Sequence, residues 1–230
     1  MGFFIYFVFI GIQLTSTLAT DYQIPLRCFL QSPTFLDKFD TNSDVTLPRF
    51  NTLRVKNVTL DKDDWVFETY NLDYDGLDDA ALDEFGFNLN TKDAKITFHT
   101  DLVAKHLYKT SGTLFSKPID GEGHSVIKLS NVQYSFKINF DIIENDGRRY
   151  IELKDYEYTY VVRDDGDFAL THLYNGNKRL SNSMLCRMNK NWRYLTTNFG
   201  RIFMDEIASN VFNKFKDYLL AMPLKDCYNC

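Results

Sequence analysis

Several features that define familiar functional classes are missing from this sequence. Its Lys and Arg residues do not cluster and its formal net charge is −5. An acidic chain without a basic patch lacks the electrostatic footprint of a nucleic-acid-binding protein. Beyond residue 20, no stretch is apolar enough to cross a bilayer. No internal repeat or low-complexity linker divides the chain, so we expect one domain over residues 20–230, without nucleic acid and without stable insertion in a membrane.

Catalytic and cofactor motifs are missing as well. The glycines of residues 112–123 form neither a GxGxxG pattern nor a P-loop. No GxSxG elbow is present, and no Ser or Cys stands in a recognisable nucleophile motif. The four histidines show no metal-ligand spacing, and we predict surface or groove positions for all of them: His99, His106, His124 and His172. We therefore expect a binding protein rather than an enzyme, with no metal and no cofactor.

Cysteine is scarce, but its number is even. The four candidates for disulfide formation are Cys28, Cys186, Cys227 and Cys230. They allow three pairings, among which the sequence does not choose. The CxxC spacing of the last two is compatible with a redox pair, half of a zinc site or a staple of the C-terminal tail. Because no second CxxC and no suitably spaced His pair accompanies it, disulfide formation is the favoured interpretation.

The N-terminus predicts secretion. Residues 1–20 contain no charged side chain, and residues 3–12 form a continuous apolar run. This run is short for a membrane anchor, which needs roughly 20 apolar residues. With small residues at Thr17 and Ala19, it predicts a signal peptide over residues 1–19. In a secreted chain the sequon Asn57-Val58-Thr59 makes Asn57 a candidate for glycosylation.

Apolar residues alternate with polar ones through much of the chain, which is typical of strands. The clearest strand covers residues 132–142, and Asn145-Asp146-Gly147 then predicts a hairpin turn. The return strand shifts its apolar face near Lys154–Asp155, which indicates a bulge. Asp164-Asp165-Gly166-Asp167 predicts a further turn. Shorter alternations occur at residues 53–55, 65–67, 85–89 and 96–98. Strands joined by tight turns predict an antiparallel meander.

One helical stripe dominates the C-terminal part. Between Leu180 and Leu220, apolar residues recur at steps of three and four. As one helix this segment would be roughly 60 Å long, with a bend expected at Gly200. The apolar face of such a helix must be buried against another element, and the apolar faces of the long strands must be buried in the same way. The sequence therefore predicts an α+β fold in which a strongly curved antiparallel β-sheet wraps around one long C-terminal helix.

Two local clusters carry a family resemblance. Residues 108–123 contain Pro118-Ile119-Asp-Gly121-Glu-Gly123, and residues 173–192 contain Leu173-Tyr-Asn-Gly176 followed by Asn189-Lys-Asn191-Trp192. In order and spacing these clusters resemble the takeout / haemolymph juvenile hormone-binding protein family of insects. The resemblance extends over roughly Leu47 to Pro223. That family has two close cysteines near the start of the mature chain, whereas this sequence has Cys28 alone there.

The resemblance implies a fold of the tubular lipid-binding type, with an apolar tunnel between sheet and helix. It also implies a monomeric carrier of a small hydrophobic ligand, such as a terpenoid hormone, a fatty acid or an odorant-like molecule. On that basis the candidate ligand-binding residues are aromatic, although each is also explained as ordinary core. They are Phe67, Phe98, Tyr134, Phe136, Phe140, Trp192, Phe199 and Phe203.

Two other functions are compatible with the sequence. One is a secreted signalling or interaction protein whose tunnel is closed or vestigial and which binds a protein receptor. The other is a hydrolase of lipid esters, which needs a Ser or Cys beside a His and a carboxylate in space. The absence of any nucleophile motif makes the hydrolase the least favoured of the three.

Overall fold

A computed structural model describes residues 53–88 and 90–221, and most of these residues lie in one antiparallel sheet. The strands are β1 (Leu53–Lys62), β2 (Trp65–Asp75), β3 (Ala81–Asn88), β4 (Asp93–Leu114), β5 (Lys117–Pro118), β6 (Gly121–Asn145) and β7 (Arg148–Leu170). The long path runs β1-β2-β4-β6-β7. Strand β4 spans 22 residues, so β3 and β2 pair with successive parts of its one edge while β6 pairs with the other.

The predicted connection between the two longest strands is confirmed. Asp146 and Gly147 have φ of 51° and 70°, and positive φ at both central residues is what a tight hairpin turn of type I′ requires. Beyond the turn, Asn139 pairs with Asp155 and Phe140 with Leu153. Lys154 is therefore an extra residue in β7, which confirms the predicted bulge.

The turn predicted at Asp164-Asp165-Gly166-Asp167 is wrong, because β7 continues through it. A Cβ at position 166 would lie 3.0 Å from the Cβ of Trp192. Gly166 thus permits close contact with a helix rather than a change of chain direction. A register shift occurs here instead, where Ser130 pairs with Asp165 but Val132 pairs with Val162.

The sheet bends at the register shift between Ser130 and Val132. The β4–β6 register also shifts between Thr100 and Leu102, so irregular pairing falls side by side on three adjacent strands. Asn131 has a φ of 54°, and its backbone N–H donates to Asp101 Oδ1 over 2.7 Å. Aligned bulges increase local twist and bend a sheet, which accounts for the strong curvature that the strand lengths predict.

The C-terminal segment is helical but is not one helix. It consists of α1 (Lys178–Lys190), α2 (Trp192–Phe199) and α3 (Arg201–Ala221). The α+β class and the curved sheet against the helical segment are confirmed, while the single helix is corrected to three. The expected bend at Gly200 is one of the two breaks. The other lies at Asn191, whose φ of −114° and ψ of 29° interrupt the helix.

The helical stripe faces the sheet. Helices α1 and α2 pack on β7, and α3 packs on β7 and β1. Of the predicted stripe residues only Leu180 is exposed, at 48%, and the others are buried or half-buried. None of the helices within the described ranges combines the length and the hydropathy needed to span a membrane.

Some sequence-based predictions fall on other parts of the chain. The signal peptide, Cys28, Cys227 and Cys230 lie outside the described residues, so the disulfide pairing stays a prediction. Cys186 is exposed on α1. Asn57 is exposed on β1, at the edge of the sheet, where a glycan would meet no steric obstacle from the core.

Candidate functional site: an apolar cavity between sheet and helices

An apolar cavity lies between the sheet and the helical segment, at the helix break at Gly200. Its volume is about 70 Å³. A space of this size has room for only a few water-sized groups, so the cavity is small. The lining residues come from β1, β2, β4, β6, β7 and all three helices: Leu60, Trp65, Phe67, Leu72, Tyr74, Ala104, His106, Ile127, Leu129, Phe168, Leu170, Met188, Leu195, Thr196, Phe199, Gly200, Phe203 and Met204.

Three of the eight candidate ligand-binding residues line this cavity. They are Phe67 on β2, Phe199 at the end of α2 and Phe203 in the first turn of α3. The Phe67 and Phe203 ring centroids are 6.3 Å apart and the planes meet nearly at right angles. Because the break at Gly200 lies between the two helical phenylalanines, the break itself forms part of the cavity wall.

The other five candidates are buried outside the lining. Phe98, Tyr134 and Phe136 stack on one another in the part of the sheet covered by α3, with centroid distances of 5.3 to 6.4 Å. Phe140 lies in the same core, against Phe87. These rings fill the space between sheet and helix at that level, so the cavity and the aromatic core lie at different positions along the helices.

Two of these five stand next to the cavity. The Tyr134 hydroxyl donates to the sulfur of Met204, a lining residue, over 2.8 Å. Trp192 packs against Gly166, and the Arg193 guanidinium lies 4.1 Å from its ring centroid. Both side chains therefore support the cavity wall from behind.

Most polar groups in the lining are bonded within the protein. Trp65 Nε1 donates to the Thr110 hydroxyl over 2.8 Å. The Tyr74 hydroxyl donates to the backbone carbonyl of Phe203 over 3.1 Å. Burial raises the pKa of this hydroxyl. The Thr196 hydroxyl donates to a carbonyl of its own helix. These bonds leave an apolar surface toward the cavity.

The exception is His106, for which the predicted surface or groove position is wrong. It lies on β4 between two inward-facing residues, Ala104 and Tyr108, and is only 6% exposed. Neither ring nitrogen has a hydrogen-bond partner among the described residues. Burial lowers the pKa of the imidazole to about 4, so the ring is neutral at pH 7. The two-residue alternation around it was the signal in the sequence that could have placed it inside.

A second, open groove of about 750 Å³ lies beside Tyr158 and α3, and its lining is mixed and charged. Tyr158 donates to Asp205 over 2.5 Å, and Arg201 pairs with the same carboxylate over 2.9 Å. Burial and the bond to Asp205 raise the pKa of the Tyr158 hydroxyl. This arrangement ties α3 to β7. Within residues 53–88 and 90–221, no group of His, Cys, Asp and Glu is placed to hold a metal ion.

Comparisons with known proteins agree with this geometry. The family model described as haemolymph juvenile hormone binding protein matches residues 40–229. The crystal structure of Epiphyas postvittana Takeout 1 superposes with a TM-score of 0.73 at 29% identity, over 76% of this chain and 82% of that one.

The sequence is also similar to two proteins from Drosophila. Proteins called circadian clock-controlled protein daywake, from Drosophila yakuba and Drosophila melanogaster, are each 30% identical over 109 residues. That match covers 46% of this chain and 42% of each daywake protein. The chain is therefore aligned with less than half the length of these relatives.

Proposed function

The chain belongs to the haemolymph juvenile hormone binding protein family, and we propose that it is a secreted carrier that holds a small hydrophobic ligand between its sheet and its helices. The observation that carries this proposal is the apolar cavity at the helix break at Gly200. A preformed, mostly apolar pocket with few polar groups is the usual design of a small-molecule site.

The hydrophobic effect supplies the affinity in this proposal. Apolar surface removed from water contributes about 25 cal/mol per Å², so a slender ligand of roughly fifteen carbons gains several kcal/mol before association costs are subtracted. The small volume of the cavity favours a chain-like or terpenoid ligand over a bulky polycyclic one. Because the helix break at Gly200 is part of the cavity wall, a longer ligand would be accommodated by separating α2 and α3 from the sheet.

The aromatic candidates have three roles in this account. Phe67, Phe199 and Phe203 contact the ligand. Tyr134 and Trp192 act indirectly, by holding Met204 and α2 in place. Phe98, Phe136 and Phe140 fill the core beyond the cavity and contact the ligand only if it reaches past Met204.

Secretion is part of the same proposal. We expect the leader at residues 1–19 to be removed, Asn57 to be glycosylated, and the four cysteines to pair in an oxidising compartment. The haemolymph named in the family description is an extracellular fluid, which is consistent with such a carrier. Intact-mass measurement of protein secreted from insect cells, before and after deglycosylation, tests the three modifications together.

A cavity-filling substitution tests the carrier function. In Ala104→Leu the added carbons enter the cavity, because Ala104 lines it from β4. The matched control is Ala169→Leu, which places the same side chain on an exposed position of β7. With delipidated protein and a fluorescent fatty-acid probe, we expect Ala104→Leu to weaken binding about tenfold or more and Ala169→Leu to leave it unchanged. Equal affinities in both variants would contradict the proposal.

One alternative has an observation in its favour. The stacked rings that fill the sheet beside α3, and the small volume of the cavity, suit an interaction protein whose tunnel is closed. That protein would bind no apolar probe after delipidation, and it would instead associate with a receptor. Failure of a panel of fatty-acid and terpenoid probes to bind the wild-type protein would favour this alternative over the carrier.

A further inference from the structure

The cavity contains one polar side chain whose hydrogen-bonding capacity is unused. Trp65, Tyr74 and Thr196 all donate to protein acceptors, whereas both ring nitrogens of His106 lack a partner within residues 53–88 and 90–221. His106 is only 6% exposed, and its ring makes an edge contact with the ring of Phe67, with ring centroids 5.9 Å apart. Buried polar groups in native proteins are nearly always hydrogen-bonded, so an exception needs an explanation, and a ligand bound in the cavity supplies one.

A second unpaired group lies beside it. Ser125 of β6 is the residue directly opposite His106 in the β4–β6 ladder. Directly opposite residues in an antiparallel pair share one face of the sheet, with Cβ atoms about 5 Å apart. Ser125 is 1% exposed, and its hydroxyl also has no hydrogen-bond partner in the part of the chain that the structure describes. Ser125 is not itself a lining residue, but both of its ladder partners, His106 and Leu170, line the cavity.

Together these groups provide a defined set of donors and acceptors. A neutral imidazole has one N–H donor and one acceptor nitrogen, and a hydroxyl can donate or accept a hydrogen bond. Among the described residues, the cavity lining contains no Lys or Arg. Burying an ionised carboxylate without a cation is unfavourable, whereas burying an alcohol, aldehyde or ester oxygen that gains a hydrogen bond is not.

We propose that His106 and Ser125 form the polar anchor of the cavity and bind the uncharged oxygen-containing end of an otherwise apolar, slender ligand. This assignment rests on the carrier function proposed above and adds to it the chemical class of the ligand. The rest of the cavity binds the hydrocarbon part without directional bonds. The anchor fixes which end of the ligand lies between β4 and β6.

The test uses four probes of equal chain length on delipidated full-length mature protein: octanol, methyl octanoate, octane and octanoate. His106→Phe keeps a ring in place and removes both nitrogens. We expect His106→Phe to weaken the binding of octanol and methyl octanoate about tenfold, which corresponds to the loss of one typical buried hydrogen bond. The binding of octane should be unchanged or tighter. Ser125→Ala should weaken the binding of octanol by a smaller factor than His106→Phe does.

Two controls separate an anchor from a structural role. His106→Gln retains a donor and an acceptor and should keep most of the octanol affinity. Thr97→Val also removes a buried hydroxyl from β4, but on the opposite face of the strand, where that hydroxyl pairs with Ser135. It should change none of the four affinities, whatever its effect on stability.

The outcomes distinguish the anchor from the carrier function. Unchanged octanol binding in His106→Phe, or an equal loss for octane, would overturn the anchor while leaving the carrier intact. Tighter binding of octanoate than of octanol by the wild-type protein would overturn the assignment to an uncharged group. If the wild-type protein bound none of the probes, octane included, the carrier function itself would fail.

Discussion

Gly166 of β7 and Trp192 of α2 lie so close that a Cβ at position 166 would be 3.0 Å from the tryptophan Cβ and 3.3 Å from its Cγ. The contact brings α2 down onto the sheet just beyond the break at Asn191. Phe199, at the other end of the same eight-residue helix, lines the cavity. The position of one cavity wall is therefore set by a glycine on a neighbouring strand.

The first prediction concerns this contact. Gly166→Ala should lower the free energy of unfolding by about 1–3 kcal/mol, because the added methyl group forces α2 away from β7. Gly166→Val should lower it further. Chemical denaturation measures both, and stability that does not decrease from Gly to Ala to Val would contradict the close packing.

The second prediction concerns the hydroxyl of Tyr160, which donates to the Thr196 carbonyl over 2.5 Å at the C-terminal end of α2. Tyr160→Phe should lower the free energy of unfolding by about 1 kcal/mol, since a half-buried hydrogen bond between sheet and helix is lost. Tyr70 provides the control, because its hydroxyl bonds Glu68 at the surface. Tyr70→Phe should have little effect, and an equal loss in both variants would contradict the prediction.

The third prediction separates ligand contact from support. Phe199→Leu should weaken binding of an apolar probe, because the lost ring atoms face the cavity. Trp192→Leu should lower the free energy of unfolding by about 2–4 kcal/mol but change probe affinity far less. Binding measured at a temperature where both variants are folded tests this. A greater loss of affinity in Trp192→Leu would identify Trp192 as a ligand contact.

The fourth prediction concerns pH. Burial lowers the pKa of His106 to about 4, from 6.5 in the unfolded chain. Between these two pH values the unfolded state binds the proton more readily than the folded state does. The contribution of neutral His106 to the free energy of unfolding is therefore fully present above pH 6.5 and is lost as the pH falls to 4. The loss amounts to roughly 3 kcal/mol. The residues that line the cavity with His106 include no carboxylate that would offset it.

Denaturation of the wild-type protein and of His106→Phe at several pH values tests this dependence. Other groups titrate equally in both proteins, so the difference between the two stability curves isolates the imidazole. The stability advantage of His106→Phe should increase as the pH falls from 6.5 to 4. A difference that does not vary with pH would show that His106 is exposed to solvent.

Local patterns predicted much of the fold. Asp146-Gly147 specified a hairpin by its own backbone preferences, the shift of the apolar face identified the bulge at Lys154, and Gly200 marked a helix break. Each of these features depends on residues that are close in sequence. The break at Asn191 was not predicted, because an asparagine is compatible with a helix interior and with its end alike.

Features that depend on distant residues were harder to predict. The sequence around Gly166 contains the residues of a turn, yet its glycine is needed for contact with Trp192, 26 positions later. His106 is one polar residue in an alternating strand whose full length was not recognised. The candidate ligand-binding set mixed lining residues with core residues, because a buried phenylalanine has the same sequence pattern in both positions.

Native mass spectrometry of the protein secreted from insect cells tests the central claim most directly. The carrier account predicts a complex with one or more apolar small molecules, which dissociates on delipidation and whose released component has an uncharged oxygen group. Ala104→Leu should carry less of this molecule than Ala169→Leu. Recovery of the wild-type protein free of any small molecule, together with failure to take up apolar probes afterwards, would contradict the account.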